Sequence, residues 1–183
     1  CPDGAPGVVK TAPRLDDGTP FPTLHYLTDP RLTAEASRLE VAGVMRGMSE
    51  RLLEDEELAA DYRAAHEHYL RERNAIEDLG TDFGVESAAL GASAHRRAHE
   101  DYLARRAELG EVPEIEGISA GGMPDRVKCL HVLIAYALAE GPDHFRLGTE
   151  AVALAAEGTD LRGTAIPGDW PTCADLGIER GDG

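Results

Sequence analysis

Three cysteines, a glycine pair followed by basic residues, and a scatter of histidines are the side chains of this chain with reactive or ligating chemistry. Cys1 precedes Pro2 and Gly4 in a tight loop that can present a thiolate. Cys129 lies in the first turns of a predicted central helix, and Cys173 in the tail. Asp29 opens another predicted helix. Thiolate and carboxylate are ligand types for zinc, and a thiolate set also suits an iron–sulfur cluster. Cys1, Asp29, Cys129 and Cys173 therefore form a candidate metal set, although no pair has diagnostic spacing. The plainer readings are a small buried hydrophobe for Cys129 and a helix cap for Asp29. His131 is two residues from Cys129, about 200° around a helix at ~100° per residue. Those two are not expected to share an ion, whereas Cys129 and Asp125 are expected to share a face.

A second candidate is an anion site. Gly121-Gly122 leads to Pro124 at the expected first position of the same helix, where free N–H groups and the helix dipole attract anions. Arg126 and Lys128 add charge. His131, three residues beyond Lys128, is placed to act as acid or base. Gly121, Gly122, Arg126, Lys128 and His131 thus form a candidate site for a small phosphorylated or acidic molecule. The plainer reading is a turn, a surface ion pair and a satisfied histidine.

Other motifs carry less. His66-Glu67 and His99-Glu100 begin like a zincin helix, but Leu70 and Leu103 stand where the second histidine is needed. Gly117-Ile118-Ser119-Ala120-Gly121 matches the nucleophile-elbow string without the strand and helix that must flank it. His66, His68, His95, His99 and His144 show no ligand spacing. Trp170 reads as a packing anchor.

The elements that must position these residues follow from pattern. The chain of 183 residues is expected to form one domain. Residues 1–28 are β-rich, with β-prone stretches at 7–11 and 23–27 around an Asp17-Gly18 turn. Residues 29–156 form a helical body. Asp29-Pro30 starts its first helix. A helical period runs through residues 50–79, and a further helix is expected over 86–109. Ala65-His66-Glu67-His68-Tyr69-Leu70 recurs as Ala98-His99-Glu100-Asp101-Tyr102-Leu103, a duplicated segment near 62–109. Residues 132–139 are apolar all round, so the helix from Pro124 to about Ala139 is expected to be central and buried. A short helix should follow Gly148-Thr149, and residues 157–183 form a loop-rich tail. The expected fold class is α+β: a small N-terminal antiparallel sheet on a mainly helical body.

Charge and composition exclude some functions. With 34 acidic and 18 basic residues, the net charge of −16 disfavours phosphate backbones and anionic membranes. The acids interleave with Arg between Glu50 and Glu116, as on a solvated helical face. An odd number of cysteines without a CxxC pair fits a reducing, cytoplasmic compartment. The chain opens on Cys1 rather than Met, so a preceding segment is expected.

The strings CPxGxP at Cys1 to Pro6, DGTPFPTLHYL at Asp17 to Leu27, and SAGGMPDRVKCLH at Ser119 to His131 resemble the bacterial family of unknown function DUF501. So do Gly141-Pro142 and Leu147-Gly148-Thr149-Glu150. The resemblance covers most of the chain and implies no activity. It implies cysteines at three points, with Asp29 standing where relatives carry Cys, which would change metal softness without abolishing binding. It also implies that the second copy of the repeat is an insertion. Three functions remain: a metal-binding accessory or regulatory protein using its cysteines, a protein or enzyme for a small anionic ligand, and an acidic helical module that docks a protein partner.

Overall fold

The computed structural model describes residues 4–15, 21–76 and 122–178. Two short strands, β1 (Val8–Lys10) and β2 (His25–Leu27), pair antiparallel with Lys10 opposite His25. The Thr11 N–H to Leu24 carbonyl bond (2.9 Å) and the Thr28 N–H to Gly7 carbonyl bond (2.9 Å) extend the ladder at both ends. The Asp17-Gly18 turn lies outside the described residues.

Helix α1 (Pro30–Val41) begins as its sequence predicts. Asp29 accepts the Arg31 and Leu32 amide protons at 2.8 and 3.3 Å, and Pro30 occupies the first turn. Its buried stripe is Leu32, Ala36 and Leu39. The helical period over residues 50–79 resolves into two helices, α2 (Val44–Glu54) and α3 (Glu56–Ile76). Asp55 interrupts them: its backbone is extended, and its Oδ1 accepts the Leu58 N–H at 2.9 Å, capping α3. Glu56 and Glu57 follow in the first turn, where the helix dipole favours acids.

The largest departure from expectation lies before the central helix. Gly122–Met123 (β3) and Arg126–Val127 (β4) form a hairpin around Pro124-Asp125. The helix itself, α4, spans Leu130–Glu140. Pro fits the first position of a turn as well as that of a helix. Here the tertiary partner decides, because Ser49 Oγ on α2 accepts the Val127 N–H at 3.0 Å and docks the hairpin. As expected, α4 is the buried core helix. Leu130, Leu133, Ile134, Ala135, Tyr136 and Ala137 are all sealed from solvent. Burying each large apolar side chain stabilises the fold by ~1.5–3 kcal/mol before entropy is counted. α4 packs on α1, β2 and the last helix, α5 (Arg146–Ala156).

Gly148 was expected to precede that last helix but lies inside it. The Phe145 ring folds over it: a Cβ there would stand 2.2 Å from Phe145 Cζ. Arg51 clamps α2 to α5 through two bonds to Glu150, at 2.6 and 3.0 Å. In the tail Trp170 is buried and donates from its indole to the Thr149 carbonyl at 3.3 Å. The architecture is α+β, a small antiparallel N-terminal sheet on a mainly helical body. Among the described residues no helix is long and apolar enough to cross a membrane.

Candidate metal centre

Polar side chains gather at both ends of α4. At its start, Cys129 is the extended residue preceding the helix (φ −153°, ψ 114°). The 200° separation from His131 expected on a continuous helix therefore does not apply. Cys129, His131 and Glu40 instead bring ligand-type atoms within 4.8 Å of one another. Their hydrogen bonds are largely committed. Glu40 Oε1 accepts the Leu130 N–H at 2.7 Å and contacts His131 Nδ1 at 3.1 Å. The other ring nitrogen, Nε2, meets Ser37 Oγ at 3.2 Å. Ser37–His131–Glu40 has the order of a nucleophile relay. Ser37 Oγ, however, also lies 3.0 Å from the Thr33 carbonyl within α1, and the amide nearest the site is bound to Glu40. The arrangement caps α4 and braces it against α1. Burial pushes the Cys129 thiol up, and the Glu40 charge adds to this, so the thiolate form is disfavoured.

The other expected ligands lie elsewhere. Asp29 caps the opposite end of α1 from Glu40, about 16 Å away at ~1.5 Å per residue. Its carboxylate also pairs with Arg31 at 2.8 Å. Cys173 is buried in the tail and joins none of the three ligand-type sets that converge among the described residues. Cys1 lies outside the described residues. Of the residues expected for an anion site, Gly122 is in β3 rather than at a helix start, and Arg126 and Lys128 are exposed. Gly121, the second repeat copy, His95, His99 and the Gly117–Gly121 string lie outside the described residues.

The other end of α4 was not legible as a site. Four elements meet there. β1 brings Lys10 and β2 brings His25. α3 brings His68 and Glu72, four apart and so on one face. α4 brings Tyr136 and Glu140, again four apart. Gly141 ends α4 with φ 100°, a conformation that favours glycine. The chain then reverses, and His144 returns against Tyr136. Thr149 Oγ1 fastens this turn through the Pro142 carbonyl (2.5 Å) and the Phe145 carbonyl (3.0 Å).

Two ligand sets result. His68, Glu140 and His144 hold ligand-type atoms within 4.8 Å of one another, and so do His25, Glu72 and Glu140. Lys10 Nζ donates to Glu72 Oε1 at 3.0 Å. Among the described residues, Glu72 Oε2 and His25 Nδ1 are buried without a hydrogen-bond partner. His25 is 2% exposed.

The proton inventory around Tyr136 assigns the imidazoles. Its hydroxyl lies 2.8 Å from His68 Nδ1, 2.7 Å from His144 Nε2 and 3.2 Å from the Ala65 carbonyl. A phenol has one proton and a carbonyl only accepts. All three contacts are satisfied when the phenol donates to Ala65 and both imidazoles donate to the phenol. The second ring nitrogen of each, His68 Nε2 and His144 Nδ1, is not used by the phenol.

The electrostatics agree. Burial pushes the His25 pKa down to about 4, against the opposing charge of Glu72. Burial, followed by the neighbouring His68, lowers that of His144. Both are neutral near pH 7. Burial raises the Glu140 pKa, and the facing Glu72 charge raises it further. Burial also acts upward on Glu72, but the Lys10 hydrogen bond and charge hold it below the ordinary carboxylate value. Two carboxylates confronting each other must share a proton or a cation.

The fold and this cluster define an α+β helical protein with a histidine–carboxylate centre between its small sheet and its core helices. The chain belongs to the family described as protein of unknown function, DUF501, whose sequence profile matches residues 1–91 and 84–153. No curated relative and no solved structure matches it.

Proposed function

We propose that this is a metal-binding protein whose metal is held by His25, His68, Glu72, Glu140 and His144 rather than by its cysteines. The observation that carries this reading is the confrontation of Glu72 and Glu140 among three histidines, with His25 Nδ1 and Glu72 Oε2 buried and unpartnered. A divalent cation there relieves the carboxylate repulsion, and burial already lowers the pKa of two of the imidazoles, His25 and His144. A nitrogen–oxygen donor set suits zinc, manganese or ferrous iron. It does not suit an iron–sulfur cluster, which thiolates hold.

The same geometry without metal is a protonated Glu140 sharing its hydrogen with Glu72, and the two states are separable. Protein stripped with chelator is titrated with Zn²⁺ and with Co²⁺, following Co²⁺ by its visible absorption. Binding that falls at least tenfold in His144→Ala and Glu140→Gln, and is retained in Cys129→Ser, supports the reading. Absence of binding by the folded protein overturns it.

A further inference from the structure

We infer that the centre holds two cations bridged by the Glu140 carboxylate, an inference that rests on the metal-binding reading above. The five ligand side chains do not converge on one point. They fall into two sets, His68–Glu140–His144 and His25–Glu72–Glu140, which share only Glu140. Nitrogen and oxygen ligands sit ~2.0–2.2 Å from a zinc-like ion, so ligand atoms around one ion lie at most about 4.4 Å apart. Each set, mutually within 4.8 Å, is within a few tenths of an ångström of the size of one such shell.

A carboxylate has two oxygens and can serve both shells. Bridged pairs of this kind place their ions ~3.5–4 Å apart. Each half has its own bare donors. In one, Tyr136 engages a single nitrogen of His68 and of His144, at 2.8 and 2.7 Å, and leaves each ring its second nitrogen. The other half has the unpartnered His25 Nδ1 and Glu72 Oε2. Lys10 occupies Glu72 Oε1 and leaves the second oxygen to the metal.

The charge count identifies what completes the pair. Two divalent cations together with Lys10 outweigh the two carboxylates. The open positions therefore call for an anionic oxygen ligand: hydroxide derived from water, or a phosphate or carboxylate group laid across both ions. An anion-binding function would then reside here, at the C-terminal end of α4.

The test is stoichiometry on the full chain. Metal-free protein is loaded with Mn²⁺, freed of excess, and read by elemental analysis and electron paramagnetic resonance. The expected result is two equivalents per chain with the spectrum of a spin-coupled pair. His25→Ala and His144→Ala, each checked for folding by circular dichroism, should keep one equivalent with an uncoupled six-line signal. Glu140→Gln should abolish the coupling. One equivalent in the unmodified chain overturns the pair while leaving the metal-binding reading intact. No binding overturns both. Two equivalents retained in both histidine variants overturn the assignment of one ion to each set.

Discussion

Tyr136→Phe tests the proton inventory directly. The substitution keeps the buried ring, which packs against Phe145 with centroids 5.3 Å apart and crosses Tyr69 at 5.0 Å. It removes only the hydroxyl shared by His68, His144 and the Ala65 carbonyl. Each such bond is worth ~0.5–1.5 kcal/mol net. Both histidines are half-buried and can recover part of the loss from water. A destabilisation of about 2 kcal/mol is expected in the metal-free protein, or ~4–8 °C in Tm for a chain of this size. Loss of the group that orients two ligands should also weaken metal binding ~10–100-fold. The assays are thermal unfolding without metal and competition titration with a chelator. Long-range nitrogen–proton NMR of the parent protein supplies an independent readout. It should find the ring protons on His68 Nδ1 and His144 Nε2. Protons on the opposite nitrogens, or unchanged metal affinity in Tyr136→Phe, would refute the reasoning.

Three further expectations concern the rest of the molecule. Cys129→Ser should leave metal content unchanged, because the proposed ligands lie at the other end of α4; loss of bound metal would return the site to the start of α4. Asp29 is held below the usual carboxylate range by its hydrogen bond to Arg31, against the opposing effect of burial. Its contribution is therefore present above the unfolded pKa of ~3.9 and lost as pH falls through the lower folded value. Asp29→Asn, which still caps a helix, should lose less stability than the parent between pH ~5 and ~2.5 in urea titrations; parallel curves would contradict this. In Gly148→Ala the new Cβ would fall 2.2–2.7 Å from three Phe145 ring atoms. The helix-propensity gain of ~1 kcal/mol is smaller than the combined cost of displacing that buried ring and straining the core, ~1–3 kcal/mol. A net loss of stability and weaker metal binding are expected, since Phe145 adjoins His144; a stabilised variant would refute this.

What was legible in the sequence was local. Asp29-Pro30 announces α1 because cap and proline act within one turn, and the apolar run through Ile134 announces a buried helix because periodicity does. The Asp55 cap, followed by Glu56 and Glu57, was equally local but lay hidden inside a continuous helical period. Pro124 was ambiguous in principle, since a turn and a helix start accept the same φ, and only Ser49 on a distant helix separates them. The histidine–carboxylate cluster was illegible for a different reason. Its side chains come from β2, α3, α4 and the turn after it, so no short motif contains them. The four-residue spacings His68–Glu72, Tyr136–Glu140 and Glu140–His144 were visible. A search for histidine–histidine and cysteine–cysteine spacing passes over them.

The two ends of α4 differ in how far their polar groups are satisfied. Each end brings together a mixture of histidine and carboxylate. At the start of the helix, Glu40 and Ser37 satisfy both nitrogens of His131, and the Leu130 amide is capped. At the far end two buried polar atoms stand without partners and two carboxylates repel. An orphaned buried group costs ~1–3 kcal/mol, and for Glu72 a hydrogen shared with a protonated Glu140 offsets part of that cost. The cysteines attract attention in the sequence because their chemistry is conspicuous. The confronting carboxylates and two buried unpartnered atoms lie instead among the histidines at the far end, where the proposed cation would sit.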